Sequence, residues 1–466
     1  MAAPTEAAGR TGMWGTARGH GLQGLSNARA TVPAMTLRDS FGFWLKVALP
    51  TWNKGILIRR RSMVRVSAGL DLDNAAVARM QALREAYGDG PVLIRNPIRP
   101  QALLLASSDV QRVLNQTPDP FSPASSEKRA ALAHFEPHVS LISAGPERAE
   151  RRAFNDQVLD SARPMHRLAD GFRACAEQEV EALLHDIGPA PELTWANFIE
   201  AWSRMARRII LGDGARDDRA LTDLLARLRG RANWAFMVPK RRGALEALQA
   251  RLSTHLARGE PGSLAGLIAT MRPGAAAAIA DQVTHWLFAM EPAGITAMRA
   301  LTLLAAHPAE AEKAQAEVSV IDNPGSDLPY LRACILETLR LYPTTPVILR
   351  QTTQETAWSN GTLPSGSGIL IFVPYFQREE QRYPDAHRFR PITWLGLDPA
   401  HATPFIPFSG GPGICPAHNL VPLLAASFLA AIVRRYRVAV HQPVDLVSSG
   451  RLPGTLDHFR VRLGLG

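Results

Sequence analysis

The chain has 466 residues, 46% of them hydrophobic and 20% charged, with a formal net charge of +10. This composition is typical of a globular protein with a large core. The basic residues are spread along the chain apart from short clusters at 59–61 and 240–242, and no motif interleaves them with aromatic residues, so nucleic-acid binding is not indicated. Three widely spaced cysteines, Cys175, Cys334 and Cys415, exclude a disulfide framework and a zinc-type cluster. They are typical of a reducing compartment, and we expect a cytoplasmic protein.

The first 35 residues are rich in Gly, Ala, Ser and Thr. They predict a disordered extension over residues 1–35, followed by one domain over 36–466. An apolar run begins at Phe41, but Lys46 and Pro50 interrupt it. A membrane span needs about 20 mostly apolar residues, so we expect no span there. A lid over the fold and a peripheral contact with a membrane surface both remain open.

The periodicity of the remaining chain predicts a mainly helical protein with a minor sheet near each end. We expect helices at 73–87, in several segments between 146 and 307, at 327–341 and at 417–433, and strands at 91–95, 101–106, 347–350 and 368–373.

The helical run over residues 275–306 is apolar on all sides, which predicts a buried helix. Pro292 removes a backbone hydrogen bond in its middle, and Gly294 permits another group to approach the backbone. We therefore expect a ligand groove at this point. Thr296 lies beside it, and its hydroxyl either takes part in chemistry or bonds its own helix backbone.

The most informative segment is Phe408-Ser409-Gly410-Gly411-Pro412-Gly413-Ile414-Cys415-Pro416-Ala417. Its glycines let the loop pass close to a flat cofactor. Cys415 stands at or just before a predicted helix start, where backbone N–H groups favour a thiolate. A thiolate held in this way suits the iron of haem. The alternative is a buried structural cysteine.

This loop resembles the haem-binding signature of the cytochrome P450 superfamily. Phe408, Gly411 and Cys415 match the signature, whereas Gly413 stands where a basic residue is usual and Ala417 where glycine is usual. The resemblance implies a single-domain triangular prism, mainly α with minor β, that binds one haem b through Cys415.

Four further segments resemble the same superfamily in matching order. Glu337 and Arg340 form its Glu-x-x-Arg pair, and Arg350 matches an arginine that meets a haem propionate. In the segment around Arg148 and Arg152, Arg152 matches a second propionate ligand and Arg148 replaces an aromatic residue or histidine.

The segment 383–394 resembles the superfamily motif that ends Pro-Glu-Arg-Phe or Pro-Glu-Arg-Trp, but Ile392 and Thr393 replace Glu and Arg. Because that arginine normally completes a triad with Glu337 and Arg340, we expect the pair to lack one donor.

The oxygen-binding groove of the superfamily is matched by Ala293 and Gly294. Thr296 stands at the position of its acid and Ala297 at that of its threonine. We expect Thr296 or Glu291 to take over proton delivery, with Gly294 opening the groove.

The resemblance implies a monooxygenase that oxidises a hydrophobic small molecule with dioxygen and electrons from a ferredoxin or flavodoxin. Basic side chains on the cysteine-loop side, including His418, Arg434 and Arg435, would form the docking face. The altered groove leaves two alternatives open. One is a haem-thiolate enzyme of another class, such as a peroxygenase, isomerase or coupling enzyme, and the other is a non-catalytic haem-binding homologue.

Overall fold

The computed structural model describes residues 31–96, 99–188, 192–320, 327–400, 405–443, 446 and 450–466. Most of the segment predicted to be disordered, residues 1–30, lies outside the described residues. Thr31 forms a β-bridge with Thr362, and Ala34 forms one with Leu93. Residues 31–35 therefore belong to the folded domain, in contrast to the predicted boundary.

Helices make up most of the described chain, as predicted. They are α1 (Leu37–Phe43), α2 (Leu49–Asn53), α3 (Arg61–Gly69), α4 (Leu72–Tyr87), α5 (Ser107–Asn115), α6 (Ser126–Leu132), α7 (Gly145–Val158), α8 (Ala169–Ile187), α9 (Trp195–Leu211), α10 (Arg219–Ala232), α11 (Arg242–Arg258), α12 (Leu264–Ala269), α13 (Ile279–Ala306), α14 (Pro308–Val320), α15 (Pro329–Leu341), α16 (Val373–Gln377) and α17 (Leu420–Val433).

The described strands are short and form three sheets. They are β1 (Val92–Ile94), β2 (Gln101–Leu103), β3 (Phe121–Ser122), β4 (Glu192–Thr194), β5 (Val347–Thr352), β6 (Thr356–Trp358), β7 (Gly361–Leu363), β8 (Gly368–Phe372), β9 (Val438–Gln442) and β10 (Arg462–Leu465). The order is β1-β2-β8-β5-β3 in the largest sheet and β4-β10-β9 in the second, and β6 pairs with β7. Only the β2–β8 pairing is parallel among those described. The mainly α, minor β class is confirmed.

Helix α13 lies in the largest core, where α9, α15 and α17 pack against it. The segment Ala275–Ala306 is long and apolar enough to cross a membrane by length and composition, but 78% of its most apolar window is buried inside the fold. It is therefore a core helix, as its all-round apolarity predicts. The helix proper begins only at Ile279, because Ala278 before it takes a left-handed backbone conformation.

The two largest hydrophobic cores meet at the cysteine loop. The first core is built by the long helices, and Phe408 packs against it. The second surrounds the largest sheet and includes Leu114 of α5, against which Gly410 and Gly411 lie. The loop is thus clamped between the helical part and the sheet part of one domain.

Candidate functional site

The cysteine loop is held by its own backbone. The N–H of Cys415 donates to the carbonyl of Phe408 at 2.9 Å, and the N–H of Ile414 donates to the carbonyl of Gly411 at 3.0 Å. Gly411 has φ +57°, and a Cβ there would lie 2.3 Å from the carbonyl oxygen of Leu114. Only glycine fits this position, so the match of Gly411 to the signature has a steric cause.

Cys415 has a partly exposed side chain at the end of this loop. Burial raises the pKa of its thiol, while the Ala417 N–H and the charge of Arg152 act in the opposite direction. Helix α17 begins at Leu420 rather than at the cysteine, because residues 416–419 form turns. The predicted help from a helix start is therefore weaker than expected, and a metal ion bound to the sulfur would favour the thiolate.

Arg350 lies beside the loop, and no carboxylate of the described residues pairs with it. It is 3% exposed, and it donates to the Thr117 hydroxyl at 3.1 Å, the Ser409 hydroxyl at 3.2 Å and the Leu349 carbonyl at 3.0 Å. Burial, followed by the charge of Arg148, lowers its pKa to about 10. A buried guanidinium with only neutral acceptors is an unbalanced charge.

Two more cations add to this imbalance. The Nε of Arg148 is buried, and no described residue bonds it. Burial and the charge of Arg152 lower the pKa of Arg148. Within the described part of the chain, Lys128 of α6 donates only to the carbonyls of Pro123 and Leu349. Burial and the charge of Arg350 lower its pKa well below the usual value. The sequence did not predict a role for Lys128, because nothing in the sequence of a short polar helix shows which distant residue a lysine will contact.

Arg152 has a different role from Arg148 and Arg350. It forms an ion pair with Asp156 at 2.7 Å, and it donates to the carbonyl of Ile414 at 2.5 Å. It therefore fastens α7 to the residue before Cys415. Its assignment as a propionate ligand stays a prediction, whereas Arg148 and Arg350 have spare charge for an anion.

Gly413 stands where the signature usually has a basic residue. A Cβ at Gly413 would lie 3.0 Å from the Nη2 of Arg350 and 3.0 Å from the Cγ2 of Thr117. The guanidinium of Arg350 therefore fills the space beside the loop that a side chain at this position would take. A glycine at position 413, in place of the usual basic residue, thus leaves room for the guanidinium of Arg350.

One stripe of α13 is accessible, while the rest of the helix is mostly buried. The partly exposed residues His285, Phe288, Ala289 and Pro292 follow the i, i+3, i+4, i+7 spacing of a single helix face. Phe135 packs edge-on against Phe288 with ring centroids 5.5 Å apart. This stripe is the part of α13 that offers a surface to a ligand.

Ala293, Gly294 and Thr296 lie off this stripe. Ala293 is buried in the first core, and a Cβ at Gly294 would lie 2.8 Å from the Cδ1 of Trp202. The group that approaches the backbone at Gly294 is therefore an indole of α9. The hydroxyl of Thr296 donates to the Pro292 carbonyl at 3.0 Å and is buried, which is the backbone-bonded alternative. Catalytic roles for Gly294 and Thr296 stay predictions that this packing does not favour.

Glu291 is the predicted proton carrier that retains access. Its side chain is 27% exposed and pairs with Arg229 at 2.5 Å. The guanidinium of Arg229 also lies over the ring of Phe288, 4.8 Å from its centroid. One turn earlier, His285 Nδ1 and the buried carboxylate of Glu136 are 2.8 Å apart. The polar groups next to the stripe thus form two charge-matched pairs.

The Glu-x-x-Arg pair has all the donors it needs. Arg340 binds both oxygens of Glu337 at 2.8 Å. Glu337 also accepts from the Arg390 N–H at 2.9 Å and from Trp394 Nε1 at 2.8 Å. The expected loss of a donor at Thr393 is therefore wrong, since an indole and a backbone N–H supply what the family's arginine would.

The proposed docking residues separate into two groups. His418 is buried, and its Nδ1 faces the carbonyl of Cys415 at 3.0 Å. It is not a surface cation. Arg434 and Arg435 are exposed directly after α17, and they pair with Glu177 at 3.6 and 3.2 Å.

These residues fit haem. Cys415 offers one soft ligand, and the described residues contain no group of three or more His, Cys, Asp or Glu side chains that could hold a metal ion. Haem needs only one such ligand on this side, because its porphyrin supplies the others. Lys128, Arg148 and Arg350 lack carboxylate partners among the described residues, as expected of a place for anionic propionates.

Comparisons with known proteins show which family a part of this chain resembles. The model of the family "Cytochrome P450" matches residues 276–455. The probable cytochrome P450 4s3 of Drosophila melanogaster is 32% identical over 152 residues, which cover 32% of this chain and 31% of that protein. The cyclooctat-9-en-7-ol 5-monooxygenase of Streptomyces melanosporofaciens is 32% identical over 170 residues, 34% of this chain and 37% of that protein. The matched segment thus spans about a third of the length of these relatives.

The similarity in fold extends over a larger part of the chain than the similarity in sequence. The solved structure of retinoic acid-bound cyanobacterial CYP120A1 superimposes with a TM-score of 0.66 at 17% identity, covering 83% of this chain and 93% of that one. Haem is the cofactor that this family and fold bind. The cytochrome P450 family is thus the family that residues 276–455 of this chain resemble, and the fold of the chain is that of a solved cytochrome P450.

Proposed function

We propose that this protein is a haem-thiolate monooxygenase that oxidises a hydrophobic small molecule. The observation that carries the proposal is the unbalanced positive charge of Lys128, Arg148 and Arg350 beside the Cys415 loop. These cations repel one another in a partly buried place, and an anionic cofactor next to Cys415 would remove the repulsion. When bound, haem supplies activation of dioxygen and transfer of one oxygen atom to a C–H bond.

The chain's residues divide the remaining work. Cys415 supplies the thiolate, and the bonds of its loop to Phe408 and Gly411 fix its position. Arg148, Arg350 and Lys128 bind the propionates, and Arg152 keeps α7 in register with the loop through Ile414. Each of these roles uses side chains that the fold already holds in place.

Proton delivery falls to Glu291 in this proposal. It is the acidic residue next to the accessible stripe of α13, and its partial exposure lets water reach it. Pairing with Arg229 orients the carboxylate. Thr296 would first have to leave its bond to the Pro292 carbonyl.

The substrate is proposed to be apolar and to lie along the stripe of His285, Phe288, Ala289 and Pro292. Phe135 and Phe288 provide aromatic surface. The polar groups nearby are already matched in the pairs His285–Glu136 and Arg229–Glu291. A pocket of this kind favours a largely hydrophobic ligand.

A ferredoxin or flavodoxin is the proposed electron donor. Arg434 and Arg435 extend from the end of α17, the helix that follows the cysteine loop. Both share one carboxylate, Glu177, so one positive charge is left over for an acidic partner.

A peripheral membrane contact is also proposed, alongside a cytoplasmic location. The helical segment from α1 to α2 turns Ser40, Phe43, Val47 and Thr51 toward the protein. Its opposite face exposes larger apolar side chains, namely Leu37, Phe41, Trp44, Leu45, Leu49 and Trp52. The outer face is therefore more apolar than that of a usual surface helix, which favours an apolar environment on the outside.

A second segment extends the same face. Trp234, Phe236 and Met237, after α10, are exposed, and the ring of Trp234 lies 5.7 Å from that of Trp52. Lys240, Arg241 and Arg242 follow directly. Apolar side chains next to clustered cations suit an anionic lipid surface.

A carbon monoxide difference spectrum of the reduced protein tests the main proposal. We expect the long-wavelength Soret band of thiolate-ligated haem in the wild type and in the control Cys175→Ala, and its loss in Cys415→Ala. No haem after reconstitution, or an unchanged spectrum in Cys415→Ala, would reject the haem-thiolate assignment.

The second candidate is a peroxygenase, favoured by the absence of a free hydroxyl on the accessible stripe. Oxidation of an apolar test substrate is compared with peroxide alone and with dioxygen plus an electron donor. The monooxygenase predicts turnover in the second condition and a loss of it in Glu291→Gln. Turnover with peroxide alone, insensitive to Glu291→Gln, selects the peroxygenase.

A further inference from the structure

A small cavity with an excess of positive charge lies outside the cysteine loop. It has a volume of about 40 Å³, and it is formed where the α2–α3 connection meets α4, α13, the end of α15 and the residues after α16. Four cations line it, Lys54, Arg59, Arg299 and Arg378, but Asp73 is the sole carboxylate in its lining. The haem proposal assigns no role to any of these residues.

The cations of this cavity have mostly neutral partners. Lys54 pairs with Asp73. Arg59 donates to the carbonyls of Gly55 and Thr344, both at 2.6 Å. Three guanidinium groups, those of Arg59, Arg299 and Arg378, have no ion-pair partner among the described residues. The lining therefore holds more positive charge than its single carboxylate balances.

Arg299 and Arg378 are likewise bonded to carbonyls. Arg299 donates to the carbonyls of Leu456 at 3.1 Å and Tyr342 at 3.3 Å. Arg378 donates through its Nη atoms to backbone carbonyls and to the Nδ1 of His387 at 2.9 Å. Burial and the charge of Arg59 lower the pKa of Arg299 to about 10, as expected when like charges share a buried space.

Three further carboxylates lie behind the lining. Glu291 pairs with Arg229 and acts on Arg59 from a distance. Asp71 accepts from the N–H of Gly454 at 2.8 Å, and Asp457 accepts from the N–H of Phe459 at 3.1 Å. Both act on the cations at longer range, but neither forms an ion pair with them among the described residues. The excess of positive charge in the cavity lining is therefore not neutralised by these carboxylates.

Two buried donors at the cavity have no partner among the described residues, the Nε of Arg378 and the hydroxyl of Tyr342. Arg378 is 1% exposed and Tyr342 is 3% exposed. The ring of Tyr342 lies between the guanidinium groups of Arg299 and Arg378, with centroid distances of 5.7 and 5.5 Å. Buried donors are almost always hydrogen-bonded, so these two indicate a missing acceptor.

We propose that this cavity binds one small inorganic anion of about the size of chloride, held by Tyr342, Arg378 and Arg299. The two unpartnered groups, the Nε of Arg378 and the hydroxyl of Tyr342, are hydrogen-bond donors, so the ligand must be an acceptor. Because the lining carries excess positive charge, an anion is favoured over water. One water molecule requires a cavity volume of roughly 10–15 Å³. A cavity of about 40 Å³ therefore has room for a halide ion or another inorganic anion of similar size, but not for an organic acid.

The position of the site gives the anion a structural role. Lys54 and Arg59 belong to the connection between α2 and α3, Arg299 belongs to the central helix α13, and Arg378 follows α16. An anion among them joins the N-terminal segment to the core. Because only the folded chain assembles the site, binding stabilises the folded state in a saturable way.

The test is the thermal midpoint of the full-length protein in sodium chloride against sodium gluconate at constant ionic strength. We expect the midpoint to rise with chloride and to saturate. Tyr342→Phe removes one donor and keeps the ring, so it should weaken the apparent chloride affinity about tenfold. The control Tyr383→Phe removes a hydroxyl outside the cavity and should retain the wild-type dependence.

Bromide gives an independent readout, since its anomalous signal in crystals should appear between Tyr342 and the Arg378 guanidinium. Equal midpoints in chloride and gluconate, a saturable effect that Tyr342→Phe leaves unchanged, or a bromide peak elsewhere would each overturn the proposal. The haem spectrum is recorded on the same samples, so a failure of this site is distinguishable from a failure of haem binding.

Discussion

The indole Nε1 of Trp394, the residue after Thr393, donates to the Oε2 of Glu337 at 2.8 Å. Trp394 is 2% exposed and Glu337 is 1% exposed, so the bond is made in the absence of competing water. A neutral donor to a buried carboxylate contributes more than a bond between neutral groups. The Glu337–Arg340 pair therefore depends on an aromatic residue.

Trp394→Phe should destabilise the fold by about 1–3 kcal/mol, because it leaves a buried carboxylate one donor short. Urea unfolding of the purified protein measures this. Trp358→Phe is the matched control, since the Nε1 of buried Trp358 donates to a hydroxyl, that of Thr356, at 3.0 Å. Its cost should be about 1 kcal/mol, as for a neutral pair. Equal costs in the two variants would contradict the role given to Trp394.

Arg148→Met should change the apoprotein and the haem complex in opposite directions. Without haem, the substitution removes an unsatisfied buried donor and one of several repelling cations, so stability should rise by about 1 kcal/mol. With haem, it removes a propionate partner, and haem affinity should fall about tenfold. Unfolding of the apoprotein and haem transfer to an acceptor protein measure the two effects.

Arg151→Met on the same helix is the control for this prediction. Arg151 is paired with Glu147 and donates to the Ser143 hydroxyl and the Ala276 carbonyl. Its loss should destabilise the apoprotein and leave haem affinity unchanged. A less stable Arg148→Met apoprotein with normal haem affinity would show that Arg148 is a structural residue.

The sequence was sufficient where the information is local. The glycine at 411 suits its own left-handed backbone angle, and the burial of α13 follows from the apolar run of residues 275–306. Both predictions depend on spacing along one segment. Four of the ten described strands, β1, β2, β5 and β8, and the class of fold follow in the same way.

The parts that sequence reasoning missed depend on contacts between distant segments. Nothing in the spacing of Lys128 shows that it reaches the carbonyl of Leu349, and nothing at Trp394 shows that its indole bonds Glu337. The groove was centred on Gly294 because a glycine in a helix suggests a close approach. A side chain does lie close to the backbone of Gly294, but it is the indole of Trp202 from the neighbouring helix α9 and not a ligand.

His387 should make the protein sensitive to mild acid. Its Nδ1 faces the Arg378 Nη2 at 2.9 Å, so the ring must stay neutral to accept this bond. Burial, followed by the charges of Arg378 and Arg451, lowers its pKa to about 4, while Glu380 acts in the opposite direction. The unfolded chain takes up the proton near pH 6.5, and the folded chain only near pH 4.

Stability should therefore be complete above about pH 6.5 and fall between pH 6.5 and 4, by on the order of 3 kcal/mol at most. His387→Asn keeps an acceptor for Arg378 and removes the titration, so its unfolding free energy should change less over this range. The exposed His441, replaced by Asn, should leave the wild-type dependence. An equally steep loss of stability in His387→Asn would remove His387 as the cause.

The apolar outer face of α1 and α2 should bind anionic lipid. Phe41 and Leu45 are 68% and 50% exposed, so replacing both by Ser should not disturb the core. Full burial of one such side chain contributes about 1.5–3 kcal/mol, and the double variant should lose tenfold or more in partitioning. Co-sedimentation with phosphatidylcholine vesicles, with and without phosphatidylglycerol, measures the binding.

The matched control carries Val320→Ser and Leu397→Ser, two exposed apolar residues outside this face. It should bind like the wild type. The basic residues near the face, including Lys46 and Lys240, predict stronger binding to the anionic vesicles and weakening by salt. Equal sedimentation of both double variants would exclude a lipid contact. A concentration-dependent dimer that only Phe41→Ser/Leu45→Ser abolishes would instead assign the face to a second copy of the chain, although its net charge of +10 opposes that association.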